Sequence, residues 1–526
     1  MRSACGIVSG VVGVVLTCAA YAPAEPVELA PSSPRLGINL AGPADWNTEL
    51  PFVDVFRMSR PWVSQRKGAA YGQGPELDLD RFGWVKRLEA DCFAEAPLCT
   101  IRGGHYPGGR YTVRYRGQGA IEFRGDVNVV ASSPGRMDIE VDSSRAGFAL
   151  RLMKTDPADP VRDIRVIMPG FESDHEQQPF HPAFLKRWSG MACYRFMDWM
   201  HTNGSEVRTW ADRPTREHAT FSKRGVALEW MIDLCNRQKI AAWFCMPHLA
   251  DDDFVRRFAG MVKERLDPSL KVYLEYSNEV WNGQFAQSRH AVEQGKRLAL
   301  SDRDAQAGWA YTAVRSMEIF AIWEDVFGGR ERLVRVLPSQ AGNTAVSEAV
   351  LSFRDAYRKA DALAIAPYMP FTVGRGKLAD QAEAMKDWDV KTLLDVFEAT
   401  AFPESLERMR KAKAVADKYG LKLIAYEGGQ HMVAMVKNRD WVQQITPLMH
   451  EANRHPRMGA LYTRYFDEWA RIGGDVFAVF SPIGRFSDHG AWGLAEFYDS
   501  QPSEYPKLEA TLRWAKAKGQ AVHIPD

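Results

Sequence analysis

Val272-Tyr273-Leu274-Glu275-Tyr276-Ser277-Asn278-Glu279-Val280-Trp281-Asn282 is a short apolar and aromatic run that ends in an Asn-Glu pair. Leu423-Ile424-Ala425-Tyr426 is a second such run, and it ends in Glu427-Gly428-Gly429. Nearly continuous apolar runs of this length suit parallel strands buried on both faces. A (β/α)8 barrel, the TIM barrel, presents its functional groups at the C-terminal ends of such strands. The two glutamates therefore predict that fold and place themselves at its mouth.

Working outward, eight short apolar runs alternate with helical patterns. They are Arg35–Ala41, Tyr194–Trp199, Ile240–Cys245, Val272–Tyr276, Leu333–Leu337, Ala362–Ala366, Leu421–Tyr426 and Val476–Phe480. Amphipathic stretches at Gly225–Gln238, Ala310–Phe327 and Ser405–Lys418 lie between them, the last stopped by Gly420. Strand–helix alternation repeated in this way is the pattern of an α/β barrel. Phe52–Met58 also reads as a strand, which leaves the register of the first two units open.

The alternation breaks between Leu98 and Met168. Tyr111/Val113/Tyr115, Ile121/Phe123, Met137/Ile139/Val141 and Phe148/Leu150/Leu152 recur at period two, with Gly117-Gln118-Gly119 and Ser133-Pro134-Gly135 as turns. The expected organisation is a leader at 1–24, a barrel start at 25–97, an inserted small antiparallel β-sandwich at 98–171, and the rest of the barrel at 172–526. The insert holds no Trp although the chain carries 16. It reads either as a glycan-binding module or as a lobe shaping the rim of a cleft.

Arg2, the apolar stretch Ala4–Ala20 and Ala22-Pro23-Ala24 form a charged start, a hydrophobic segment and a small-residue cleavage pattern. Cleavage after Ala24 and a secreted or periplasmic location are expected, with an uncleaved anchor as the alternative. No other segment reaches transmembrane length. Lys+Arg of 67 against Asp+Glu of 66 gives no bulk field for nucleic acid or an anionic membrane. The balance permits a neutral polymer as partner and leaves the oligomeric state open. Five of the seven cysteines follow the leader; Cys92 and Cys99 are close enough in sequence to bridge a local loop. No Cys/His cluster has zinc spacing, and Asp251-Asp252-Asp253 reads as a solvated helix start. No cofactor or metal is expected.

Ser277-Asn278-Glu279 and Tyr426-Glu427-Gly428, on the fourth and seventh strands, resemble clan A of the glycoside hydrolases. The likeness covers the barrel and not the insert; it is loosely similar to families 5 and 39 and to bacterial proteins labelled cellulose-binding. Val280 stands where the best-studied families carry Pro. The resemblance implies a hydrolase that cleaves a β-linked polysaccharide or oligosaccharide, a β-glucan above others, with retention. Glu279 would be the acid/base and Glu427 the nucleophile, with carboxyl groups about 5–5.5 Å apart. It further implies that Asn278 meets the substrate 2-hydroxyl, that Arg195 and Tyr368 support Glu427, and that His248 lies at the site. Trp281 supplies a less polar setting beside Glu279, and Trp492 is a candidate sugar platform, with Trp210 and Trp62 as weaker ones. Glu275 reads as a structural partner of Arg195, while Asp198 and Asp488 are second-choice carboxylates. A non-catalytic carbohydrate-binding protein on the same scaffold, and a transglycosylase, are the alternatives.

Overall fold

Burial on both faces is what makes the eight short apolar runs strands. The structure, a computed structural model, describes residues 34–524, so the stretch read as a leader lies outside the described residues. The barrel strands are β1 (Leu36–Asn39), β2 (Cys193–Arg195), β3 (Ala241–Met246), β4 (Val272–Tyr276), β5 (Leu333–Pro338), β6 (Ala362–Ile365), β7 (Lys422–Ala425) and β8 (Phe477–Val479). They form one closed parallel barrel in chain order. Every residue of β4 is buried. β8 closes the ring by pairing with β7 at Ala425 and with β1 at Leu36, Gly37 and Ile38. Gln520 fastens the same strand from the far end of the chain: its amide oxygen accepts from Leu36 N (2.7 Å), and its Nε2 donates to Leu36 O and Gly190 O.

Helices fill the spaces between strands. The expected segments appear as Leu228–Gln238, Asp304–Phe327 and Val390–Lys418. The last starts well before Ser405 because it continues through Pro403. Phe52–Met58 is not a barrel strand. Phe52 and Asp54 form isolated bridges to Phe180 and Ile167, and Val55–Met58 is a 3-10 turn.

Two four-stranded antiparallel sheets lie between β1 and β2. One runs in the order Val63–Arg66, Cys92–Cys99, Phe148–Thr155, Gly119–Arg124; the other runs Arg162–Ile167, Gly109–Arg116, Arg136–Val141, Val127–Ser133. Val113, Ile139, Leu150 and Leu152 are fully buried, as period-two alternation requires. Gly117, at φ +85°, turns where a Cβ would stand 2.1 Å from Pro160 O. Val63–Arg66 and Cys92–Cys99 belong to the first sheet although both begin before residue 98. Cys92–Cys99 is buried along nearly its whole length, so it shows no alternation to mark it. Cys92 and Cys99 sit at opposite ends of that eight-residue strand and are free thiols. An extended strand rises about 3.3 Å per residue, which rules out a bridge between them. Lobe and barrel share one continuous apolar core. Among the described residues no helix is long and apolar enough to cross a membrane.

Candidate active site

β4 delivers two acids to different depths. Glu275 lies inside the barrel, fully buried, and receives Arg195 Nε and Nη2 at 3.0 Å each, together with Trp243 Nε1 at 2.8 Å. Four residues on, beyond the strand end, Glu279 reaches the barrel mouth. The chain gets there through left-handed backbone at Ser277 (φ +56°) and at Glu279 itself (φ +42°). Such conformations cost of order 1–3 kcal/mol each and persist where the surroundings dictate them.

Arg195 is the hub beneath the mouth. Beyond Glu275, its Nη1 donates to Asn39 Oδ1 (3.0 Å) and Glu427 Oε2 (3.3 Å), and its Nη2 to Asn278 Oδ1 (2.9 Å). The five guanidinium protons thus meet five oxygens. Burial works against its charge, but Glu275 and Glu427 more than offset that and hold it protonated. Asn39 is fixed in turn by donating to Tyr426 O and Ala478 O. Asn278 passes the order outward, its Nδ2 donating to Asn203 Oδ1 (3.0 Å), which also accepts from Gln287 (2.7 Å).

Glu427 lies two residues beyond the end of β7 and accepts from Tyr368 Oη (3.1 Å) as well as Arg195. Burial first, and then the charge of Glu279, push it up to about 8; Arg195 and Tyr368 pull the other way. Glu279 accepts from Asn282 Nδ2 (3.0 Å) and Tyr426 Oη (3.2 Å), and burial raises it too. Two carboxyls that repel each other give up their protons in separate steps that belong to the pair. Arg195 is in hydrogen-bond contact with Glu427 and not with Glu279. That contact works toward holding the negative charge of the pair on Glu427, against the burial that raises it.

Both open into a cavity of about 510 Å³ whose wall includes Asn278, Trp281, Tyr368 and Trp492. One side is aromatic. Trp492 meets His431 edge-on, His431 meets Tyr368, and Tyr368 meets Phe480. The Trp492 ring lies against Gly490, where a Cβ would stand 2.6 Å from it. The preceding carbonyl, Ala491 O, accepts from Gln430 Nε2 and from the buried Lys507 Nζ, each at 2.7 Å. A second hollow of about 360 Å³ shares Pro370 and Thr372 with the first and prolongs it.

The structure thus brings together Glu279, Glu427, Asn278, Arg195, Tyr368, Trp281 and Trp492. His248 is not in the cavity wall; it is buried beside His290 (5.4 Å), and burial, with the charges of His290 and Arg208, lowers it to about 4. Trp210 packs on Phe254, and Trp62 donates to Gly83 O, both away from this cavity. Asp198 does line it, raised by burial to about 6, whereas Asp488 pairs with Arg439. Asp251 caps the helix Asp252–Arg265 through Phe254 N. No group of His, Cys, Asp and Glu among the described residues could hold a metal. Asn203, Asn282, Arg408 and His431 join the wall without having been singled out in the sequence. Asn203 and Asn282 lie in irregular segments beyond strand ends, His431 in the short strand Gln430–Ala434 and Arg408 on the helix Val390–Lys418, so no shared pattern marks them.

No protein-family model matches the chain, and no curated protein matches it. Among solved structures, the GH51 arabinofuranosidase from Xanthomonas axonopodis pv. citri is similar at 12% identity and a TM-score of 0.37. That match covers 64% of this chain and 65% of the arabinofuranosidase, just under two thirds of its length. The CBM22-1–GH10 modules of Clostridium thermocellum xylanase 10B are similar at 10% identity and 0.37, over 90% of this chain and 100% of that one. A GH5-4 endoglucanase from Clostridium acetobutylicum is similar at 11% and 0.31, over 62% and 86%. The barrel rests on the strand order given above, and the chemistry rests on the site itself.

Proposed function

We propose that the chain is a retaining glycoside hydrolase of the clan A type, acting on a β-linked polysaccharide or oligosaccharide, a β-glucan above others. The observation that carries this reading is the unequal setting of two buried strand-end carboxyls, one on a guanidinium and a tyrosine, the other without a cation. Environments that separate two acids in this way divide them into an ionised and a protonated partner.

Glu427, ionised, attacks the anomeric carbon and forms a glycosyl–enzyme ester. Glu279 gives its proton to the departing oxygen as the glycosidic bond breaks. Water then enters, Glu279 takes its proton, and the oxygen attacks the same carbon to free Glu427. Two inversions leave the configuration retained. Asn278 is poised for the 2-hydroxyl, and Trp281 and Trp492 offer faces for sugar rings. The prolonged hollow past Pro370 and Thr372 suits a chain of several sugars.

Incubation with a 2-deoxy-2-fluoro glucoside bearing a good leaving group tests the reading. Mass spectrometry should place the trapped sugar on Glu427. Glu427→Ala should regain part of its turnover with azide and give inverted product; Glu279→Ala should still form the intermediate from activated substrates and release it slowly. A label on another residue, or wild-type turnover on β-glucans in either variant, would sink the mechanism.

A further inference from the structure

A further cavity, of about 290 Å³, lies where the segment after β1, the hairpin turn at Leu79–Gly83 and the segment after β2 meet. Trp62, Phe82, Arg60, Arg81, Lys223 and Arg224 are in its wall. The aromatic part is held in place: Trp62 Nε1 donates to Gly83 O (3.1 Å), and Arg81 lies over the Phe82 ring at 4.5 Å. Arg60 is neutralised by a two-pronged bond to Asp45 (2.9 and 2.7 Å) and carries Trp46 on its face at 5.2 Å. Trp46 is 60% exposed, the only tryptophan so open among the described residues.

The charge of this cavity is lopsided. Arg81, Lys223 and Arg224 are exposed, and none of them has an ion-pair partner among the described residues. Arg224 makes one long bond, to the main-chain oxygen of Asp212 (3.4 Å). The one carboxylate in the wall, Asp80, has an oxygen occupied by Phe82 N and Trp84 N. Lys223 and Arg224 also border an adjoining hollow of about 230 Å³ whose wall carries Glu206 and Asp212, so the excess of positive charge is confined to the first cavity. Unpaired cations around an aromatic-walled hollow are the means of binding a planar or ring-shaped anion. A sugar ring with a carboxylate meets both demands, the ring on the aromatic wall and the carboxylate on the guanidinium groups.

Position ties this surface to the cleft. Both flanking segments leave the C-terminal ends of β1 and β2, the end where Glu279 and Glu427 lie. The segment after β2 lines the cleft with Met197, Asp198 and Asn203, then lines this further cavity with His218, Lys223 and Arg224. We propose that this cavity is a second saccharide-binding site, separate from the cleft, which selects chains bearing uronate carboxylates. The proposal rests on the carbohydrate reading only in naming a sugar as the carrier of the negative charge.

Calorimetric titration of the full chain carrying Glu427→Gln tests it, with tetragalacturonate as the acidic probe and cellotetraose as the neutral one. Tetragalacturonate should bind, and more weakly as sodium chloride rises from about 50 to about 500 mM, as screening demands. Changing Arg81, Lys223 and Arg224 together to Ser should weaken it by about tenfold or more, the scale of one lost charge-assisted hydrogen bond. Lys223→Glu alone, at an exposed position, should weaken it in the same direction and covers the case of a misfolded triple variant. Cellotetraose affinity should not follow these changes. Absence of tetragalacturonate binding, or binding that is indifferent to salt or to Lys223→Glu, overturns the proposal. Labelling of Glu427 by the fluoro sugar is a separate readout, so loss of the hydrolase reading and loss of this site are told apart.

Discussion

Tyr368 donates to Glu427 and Tyr426 to Glu279, so each phenol should govern a different limb of the pH–rate profile. On the proposed mechanism, turnover needs Glu427 ionised and Glu279 protonated. Tyr368 stabilises ionised Glu427; Tyr368→Phe should raise that group and move the acid limb of kcat/KM upward by about one pH unit. Tyr426→Phe should raise Glu279 and carry the basic limb upward by a similar amount. A downward shift of either limb would contradict these assignments. The two glutamates were legible in the sequence because each ends an apolar run, and Arg195 and Tyr368 were legible through resemblance. Asn203, Arg408 and His431 were not, since only tertiary contact gathers them. His248 follows β3 closely enough to mislead, but its ring turns toward His290 instead of the cleft.

The turn that follows β4 carries a cost that a single substitution should release. Ser277 is fully buried at φ +56°, and its hydroxyl has no hydrogen-bond partner among the described residues. Glycine accepts that backbone without the penalty of about 1 kcal/mol or more that a Cβ brings. Ser277→Gly should therefore stabilise the protein by about 1 kcal/mol in urea unfolding while kcat falls, because Glu279 loses its fixed approach. A destabilised variant, or an unchanged kcat, would remove strain from the account of this turn. The barrel strands were legible because burial on both faces writes an unbroken apolar run. Elements that defy a local rule were not. Pro403 hides the first half of Val390–Lys418, and Cys92–Cys99 hides as a lobe strand by lacking alternation.

The molecule as a whole is held without covalent links among the described cysteines. All five are buried, and burial pushes Cys99 and Cys193 up to about 12. Native protein should leave these five thiols unreactive toward Ellman's reagent, and dithiothreitol should leave Tm unchanged; rapid reaction or a lowered Tm would show otherwise. Stability should also fall with rising pH through Glu49. It is buried against Trp188 Nε1 (2.5 Å), and burial raises it from 4.5 to about 8. The folded chain keeps a proton there that the unfolded chain has released, so this contribution is full below about 4.5 and is lost as pH rises through about 8. Thermal melts of Glu49→Gln should show a shallower decline between those values, and a parallel decline would exclude Glu49 as the source. The ring closure described above bears on synthesis as well. β8 is the partner of both β1 and β7, and Gln520, which grips Leu36, comes later still. A nascent chain stopped anywhere before Phe477 has two bare parallel edges, the kind of surface that recruits stray strands. Until β8 has been made the barrel cannot close, so shielding its open edges falls to whatever meets the emerging chain.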